Sequence, residues 1–511
     1  MDETHPRSIG IDAIYQYTGA GVQLFSGAVF YIIIARMFNT TDIGAIALFL
    51  AIVGLFNVIF SFGLGTAAQH FTSFNIGSGD LPAVRRTIFK IITWGFAVSI
   101  AGFLTLIVLS PMVSLIFLHS YQYTTLVKLL SIVLVGNILI GILNGALLGL
   151  QNFRTSAILS IIVWIIYYFG AVIFAYLSHS IDTIVFGWIA GISVGICLEL
   201  FIVLMQIKHF KGHGTPPSNS RILRYSLPIV MSGIVSFGAS YADRFVVAGL
   251  LSLSELGVYN FTLLISASIG FIVSPFNSIL MPKFSELYGN GKTSVISDQV
   301  RASSLLLTSI YVPVAVGIAA LSKPILDLVA GFSYAGASEP LSIIMFFSAI
   351  FIVSNILLQA IASVRRTDIF IYVSIATLAS NVVLSLLLIP RLGLIGASIG
   401  YSSIYGVTFI FLYYFAWKLK LIKLDIAGIV KVWISAVIMF IVVKLVQFFL
   451  SPIYNNSMVL VPLYILIGVS VYIILGKSLI IFGGEDRNSI LSLFPEKYPM
   501  IRKLLNFFIK T

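Results

Sequence analysis

Asp243 and Arg244 stand side by side in SYADRFVVAGLLS (240–252), and the run from Leu227 to Leu251 around them holds no other charge. A carboxylate can take up a cation, and a guanidinium can hold an oxyanion through its planar fork of donors. Ser232, Ser236, Ser240 and Asp243 step by 4, 4 and 3, so a helix would align them on one face with Arg244 at its margin. That face offers hydroxyls, one anion and one cation. It suits holding a polar ligand, because no nucleophile–base pair accompanies it. Glu199 is the next acid inside an apolar run. Asp243 and Glu199 are therefore the candidates for taking a coupling cation, H+ or Na+. The structural alternative is pairing with neighbouring helices, with Arg244 extending its head toward water.

The elements that must carry these groups are membrane helices. Of the 511 residues, 59% are hydrophobic and 9% charged, and the mean hydropathy is +1.07, too apolar for a water-soluble surface at this length. Apolar stretches of about 20 residues, each able to cross roughly 30 Å of hydrocarbon, recur along the chain. They fall at 12–36, 42–68, 88–110, 126–150, 155–178, 183–208, 225–250, 256–280, 298–321, 340–363, 369–390, 395–418, 425–450 and 457–482. The fold class is thus an all-α polytopic membrane protein of about fourteen transmembrane helices, with both termini on one side. Arg85, Arg86, Lys90, Arg154, Lys208 and most other cations lie on that side, and Arg36, Lys128, Lys323 and Arg391 on the other. This asymmetry predicts cytoplasmic termini. The net charge of +12 is then a topology signal, and nucleic acid is not an expected partner. The first ten residues, with Asp2, Glu3, His5 and Arg7, do not read as a cleavable signal peptide.

Cys197 is the lone cysteine, and the six histidines are scattered, so neither a disulfide nor a metal site is expected. No nucleotide-binding glycine loop or nucleophile elbow occurs, and no cofactor is predicted. KHFKGHGTPPSNSRILR (208–224) reads as a cytoplasmic linker. ARMFNTTDIG (35–44) aligns with AGLLSLSELG (248–257) at a shift of 213, pairing Asp42 with Glu255 and Gly44 with Gly257. QHFTSF (69–74) falls on PKFSEL (282–287) at the same shift, and FRTSA (153–157) on RRTDI (365–369) at 212. These matches divide the chain into a six-helix lobe (1–208), the linker (209–224), a second six-helix lobe (225–420), and two further helices with a tail (421–511). Parallel repeats of this kind predict a cavity between lobes.

Polar stripes at helical spacing locate the interior face of each span. The first span gives Asp12, Gln16, Gly19, Gln23 and Ser26. The second gives Asn57, Ser61, Gly65 and Gln69, and the eighth Ser266, Gly270, Ser274 and Asn277. The fourth gives Asn137, Gly141, Asn144 and Gln151, and the tenth Asn355, Gln359, Ser363 and Arg366. The cavity candidates are Asp243, Arg244, Ser236, Ser240, Gln16, Gln23, Asn57, Asn277 and Gln359. The same residues would also serve as interhelical glue.

YADRFVVAGLLSLSELGVYNFTLLIS (241–266) resembles the signature of the polysaccharide-transporter branch of the MOP (multidrug/oligosaccharidyl-lipid/polysaccharide) exporters. SFGLGTAAQHF (61–71), LMPKFSELYG (280–289), LSKPILDLVAGFSYAGASEPLSIIMF (321–346) and NVVLSLLLIPRLGLIGASIGYSSI (381–404) resemble further pieces in the family's order. The resemblance implies a MATE-like fold of two lobes around a central cavity. It also implies a Wzx-type flippase, moving a polyprenyl-phosphate- or pyrophosphate-linked oligosaccharide to the outer leaflet by alternating access. Asp243 matches the signature acid. Gln69-His70 stands where members often carry a basic residue.

The implied partners are a lipid-linked glycan substrate, membrane lipids and glycosyltransferases of the same pathway. The implied location is a prokaryotic cell membrane. Three rivals stand beside this reading: a drug exporter of the same superfamily, a glycan-assembly enzyme, and a non-transporting partner in such a complex. An enzyme would need a sizeable outer loop, whereas 111–125 and 322–339 offer only His119, Lys323, Asp327 and Glu339. NTT (39–41) and NNS (455–457) are sequons in predicted outer loops.

Overall fold

The computed structural model describes residues 9–450 and 457–479, and with them all but one end of the predicted spans. Eighteen α-helices follow in order: α1 (Ile9–Met37), α2 (Thr40–Phe60), α3 (Leu64–Gly77), α4 (Leu81–Leu118), α5 (Thr124–Gly149), α6 (Phe153–Ser178), α7 (Ile184–Ile207), α8 (Asn219–Leu250), α9 (Leu253–Ser268), α10 (Gly270–Gly289), α11 (Thr293–Ala320), α12 (Ser322–Val329), α13 (Ser338–Ser348), α14 (Phe351–Ser363), α15 (Asp368–Leu392), α16 (Leu394–Lys418), α17 (Ile426–Leu450) and α18 (Ser457–Ser478). No strand occurs among the described residues. In hydrocarbon the backbone must bond within its own helix, which is the reason such a chain takes this form.

Twelve of these helices are long and apolar enough to cross a membrane, and α13 with α14 forms a thirteenth, bent by 42° at the break between them. The difference from fourteen lies in the predicted span 256–280. That stretch is split between α9 and α10 around Ile269, and neither piece crosses alone. The predicted span 42–68 is also broken: α2 ends at Phe60 and α3 starts at Leu64, after Gly63 at φ 60°, whereas α4 and α8 outrun their apolar cores. α4 has 38 residues against the 23 predicted at 88–110, because Asp80 caps it by accepting from the Ala83 amide at 3.0 Å and Pro82 fits its first turn. α8 begins at Asn219, inside the stretch read as linker, where Ser218 accepts from the Arg221 amide.

The chain forms two compact units, Met1–Gly257 and Val258–Thr511. This division follows packing, whereas 1–208 and 225–420 follow the sequence repeat. In the first unit α6 packs on α7 and α1, α4 and α3 pack on α5, and α8 lies against α2. Leu143, Leu147, Leu159, Val203, Val84 and Ile88 form one of its buried apolar clusters. The linker is strapped to the extended start of α4. Arg86 Nη1 donates to Gly214 O at 3.0 Å and Lys90 Nζ to Pro217 O at 2.7 Å. In the second unit α17 packs on α11 and α18, with Gln447 Nε2 donating to Ala320 O at 3.1 Å and Tyr472 Oη to Ser309 O at 2.9 Å. Lys423 pairs with Asp298 at 2.6 Å ahead of α17.

The stretches paired by the 213-residue shift build the same helix start. Asn39 Oδ1 accepts from the Asp42 amide at 2.9 Å at the head of α2. Ser252 and Glu255 form a reciprocal capping box at the head of α9, with Glu255 Oε2 accepting from the Ser252 amide at 3.0 Å. The two starts touch through their glycines. A Cβ on Gly44 would sit 1.8 Å from Leu253 O, and one on Gly257 would sit 1.9 Å from Thr40 O. Both obstacles are backbone and cannot swing aside, so overpacking should cost about 1–3 kcal/mol or more. Gly257→Ala should accordingly lower the melting temperature of the detergent-solubilised protein. Gly249→Ala, where a Cβ meets nothing within 4 Å, should leave it unchanged.

Candidate functional site

α8 carries the polar face that the sequence proposed. Ser232, Ser236 and Ser240 are exposed, and Ser232 Oγ donates back to Ile229 O at 3.0 Å, so a hydroxyl can sit in an apolar helix without a second helix to satisfy it. Asp243, three residues beyond Ser240, is wholly buried. Arg244 folds back along its own helix. Its Nη1 donates to Ser240 O at 2.8 Å and lies 3.7 Å from Asp243 Oδ1, and its guanidinium sits 4.3 Å from the Tyr241 ring centroid. The adjacent acid and base therefore pair with each other. A 100° separation of their Cα–Cβ directions does not prevent this, because the arginine side chain is long enough to turn toward the preceding turn. The Arg244 side chain retains 16% exposure.

Aromatic rings continue this surface. Phe237 and Tyr241, one turn apart on α8, stack at 4.6 Å and 5°. Phe237 lies against α2, where a Cβ on Gly54 would come within 2.8 Å of its ring. On α6, Trp164 and Tyr168 stack at 5.8 Å and 24°, and Phe30 of α1 lies 5.4 Å from Tyr168. The i, i+4 spacing of both pairs is visible in the sequence, outside the hydroxyl and amide stripes.

The other candidates divide by unit. In the first, Gln16 is committed to a helix tie, its Nε2 donating to Phe153 O at 2.8 Å. Gln23 is half-buried, and so is Asn57, whose Oδ1 accepts no hydrogen bond from the protein. Glu199 is buried on α7 beside Asn144 of α5, which donates to Ser156 Oγ of α6 at 3.0 Å, and its Oε2 accepts no hydrogen bond from the protein. In the second unit Asn277 is half-buried on α10 and Gln359 is buried on α14, two helices that pack together. The side chains of Asp12 and Ser274, and the NNS sequon from 455, lie outside the described residues. The structure adds His119 at the end of α4, its Nε2 2.8 Å from Ala248 O of α8.

Glutamine at 199 keeps the shape of the side chain beside Asn144 and removes only the charge. Glu199→Gln should change transport by no more than about twofold, less than 1 kcal/mol. A proteoliposome rate measurement on the variant checks this. A loss of ten-fold or more would assign Glu199 a charge-carrying role.

The sequence profile of a family described as polysaccharide biosynthesis protein matches residues 33–339. An uncharacterized membrane protein of Methanocaldococcus jannaschii is 23% identical over 392 residues, covering 72% of this chain and 88% of that one. Among solved structures, the lipid II flippase MurJ in an inward closed conformation superposes with a TM-score of 0.72 at 17% identity, covering 91% of this chain and 98% of that one. An inward-facing multidrug resistance MATE transporter of the MOP superfamily gives 0.63 at 15% identity, covering 78% and 95%. A MOP superfamily transporter from Pyrococcus furiosus gives 0.57 at 14% identity, covering 80% and 95%. The architecture is the MurJ/MATE fold, in a multi-pass membrane protein.

Proposed function

Because the chain belongs to the polysaccharide biosynthesis protein family, we propose that it flips a glycan linked to a polyprenyl phosphate or pyrophosphate from the cytoplasmic to the outer leaflet. The observation that carries this reading is the α8 face, where exposed Ser232, Ser236 and Ser240 lead to the Asp243–Arg244 pair inside a membrane helix. Each sugar hydroxyl entering hydrocarbon without a partner costs several kcal/mol, of order 4 or more, so a multi-sugar headgroup needs a hydroxyl-lined route while its prenyl tail stays in lipid. The positive charge of the Arg244 guanidinium suits the phosphate, and the scarcity of other fixed charge suits a largely neutral glycan.

The lopsided distribution of cations supports cytoplasmic termini, and the direction proposed is export, from the leaflet on that side. Alternating access moves the headgroup, and a cation drawn inward would supply about 2.3 kcal/mol per charge per 100 mV. The location proposed is a prokaryotic cell membrane, beside the glycosyltransferases that build the cargo. The family and the fold are those of transporters rather than enzymes. Greater coverage by the MurJ structure than by the MATE structures, 91% against 78–80%, favours a lipid-linked cargo over a soluble drug.

The test is reconstitution in proteoliposomes with a fluorescent N-acetylglucosamine disaccharide on undecaprenyl pyrophosphate, read by a membrane-impermeant quencher. Protein-dependent exchange between leaflets is expected. Exchange no faster than in protein-free vesicles would refute the reading, and transport of an amphipathic cationic dye instead would favour the drug exporter.

A further inference from the structure

The first turn of α8, at the end that the cation distribution assigns to the cytoplasm, also carries a guanidinium on aromatic rings. Arg221 Cζ lies 5.7 Å from the Phe71 ring centroid and 5.4 Å from that of Phe74, two residues one turn apart on α3. His70 shares those rings, at 5.1 Å from Phe71 and 6.5 Å from Phe74, and stacks on Tyr225 of α8 at 4.4 Å and 12°. α3 and α8 pack on each other, so these contacts form one interface. Phe71 is buried within it, whereas Arg221, Arg224, His70 and Phe74 are exposed. No carboxylate among the described residues pairs with Arg221, Arg224 or His70.

Arg221 stands on the face of the hydroxyls. Arg221, Tyr225, Pro228 and Ser232 step by 4, 3 and 4, which extends the face of Ser232, Ser236 and Asp243 down to the start of the helix. Between Arg221 and Arg244 the unbroken helix rises about 35 Å, close to the roughly 30 Å of a hydrocarbon core. A guanidinium set on an aromatic ring therefore stands at each end of the serine face, since Arg244 lies 4.3 Å from the Tyr241 ring centroid. Ring contact orients a guanidinium plane and leaves its N–H rim for an oxyanion. A cation that only orients the chain needs water, and has no use for two rings of another helix. Unpaired cations beside the exposed Phe74 ring fit an anion joined to a lipid chain. A pyrophosphate, which carries more charge than a phosphodiester, matches two guanidinium groups best.

We propose that Arg221 and Arg224, with His70 on the same rings as Arg221, receive the pyrophosphate of the cargo at the cytoplasmic surface, before the headgroup passes along Ser232, Ser236 and Ser240 to Arg244. The inference rests on the lipid-linked glycan reading and adds a loading site to it. The anion is held first at one end of the α8 face and then at the other, and an uncharged glycolipid is not received.

Cysteine protection in the detergent-solubilised full chain tests this where the site lies. In a Cys197→Ser background, Gly77→Cys puts a single thiol one turn beyond Phe74, at an exposed position where a Cβ meets nothing within 4 Å. The probes are a ten-carbon prenyl pyrophosphate bearing an N-acetylglucosamine disaccharide, an uncharged glycolipid with the same chain and disaccharide, and phosphatidylglycerol. The sugar-bearing pyrophosphate should slow maleimide labelling several-fold and the uncharged glycolipid should not. Phosphatidylglycerol should need a concentration about tenfold higher or more, having a single charge to offer. Arg221→Gln should raise the half-protecting concentration of the pyrophosphate probe about tenfold, as the loss of a charged hydrogen bond does. Arg224→Gln, at an exposed side chain, should raise it about threefold or more and serves if Arg221→Gln misfolds.

Labelling that the pyrophosphate probe leaves unchanged, or a half-protecting concentration that neither Gln variant shifts, would overturn the loading site. So would equal protection by the uncharged glycolipid, which makes the patch an apolar contact, or by phosphatidylglycerol, which makes it a general anionic-lipid contact. The leaflet-exchange assay judges the flippase reading separately: exchange in a protein whose position 77 is never protected removes the loading site alone.

Discussion

Asparagine at position 243 should slow leaflet exchange by about a hundredfold or more, which corresponds to roughly 2.7 kcal/mol of barrier, while the protein reaches the membrane in its normal amount. Asn is nearly isosteric and removes only the charge. A charge at this depth costs about 2.5–3.5 kcal/mol on insertion. Against that, the attraction to Arg244 at 3.7 Å is of order 4 kcal/mol at an effective dielectric constant of 20. The two terms nearly cancel, and Arg244 keeps its bond to Ser240 O and its seat on Tyr241 in the variant. Stability is therefore expected to change little. A carboxylate maintained there at no net gain in stability is one whose charge is used, either to take a coupling cation or to release Arg244 when an anionic group arrives. Both the rate and the membrane protein level must be measured. An unchanged rate with poor expression would make Asp243 a packing residue.

The helices were legible in the sequence because lipid leaves a hydrophobic run few alternatives. What escaped was what depends on polar groups at the ends of runs and on long side chains. Hydropathy truncates α4 at 88, whereas the Asp80 cap and Pro82 carry the helix back to Leu81 through Arg85 and Arg86. Arg86 and Lys90 count in the sequence as topology cations, yet both donate to linker carbonyls, a strap that the composition of 208–224 does not foretell. The predicted span 256–280 failed as one rod because apolarity does not report the break at Ile269.

At the site, the serine stripe and the Asp–Arg dipeptide were visible as spacing. Their mutual pairing was not, since helical-wheel geometry places backbones and says nothing of how far an arginine reaches. Gln16 and Glu199 look the same in sequence as Gln23 and Asp243. Only the folded chain shows that Gln16 bonds Phe153 O of α6 while Asp243 pairs with its own neighbour Arg244. Asn39 and Ser252, paired by the 213-residue shift, perform the same local capping task.

Lysine at 244 should weaken binding of the sugar-bearing prenyl pyrophosphate probe about tenfold, a change of 1.4 kcal/mol, and alanine should weaken it further. Lysine retains a positive charge beside buried Asp243, so the fold is not asked to hold an unpaired carboxylate, an error that typically costs 3–5 kcal/mol. What lysine lacks is the planar fork that can bond Ser240 O and a phosphate oxygen at once while lying flat on Tyr241. The loss should appear for the pyrophosphate-linked probe and be several-fold smaller for an uncharged glycolipid with the same disaccharide. Arg244→Ala alone is ambiguous, since it also strands Asp243. The double variant Asp243→Asn/Arg244→Ala removes that ambiguity and should match Arg244→Ala in affinity while recovering its melting temperature. If charged and uncharged probes lose affinity equally in Arg244→Lys, the guanidinium orders α8 rather than binding the cargo, and the phosphate must be held elsewhere.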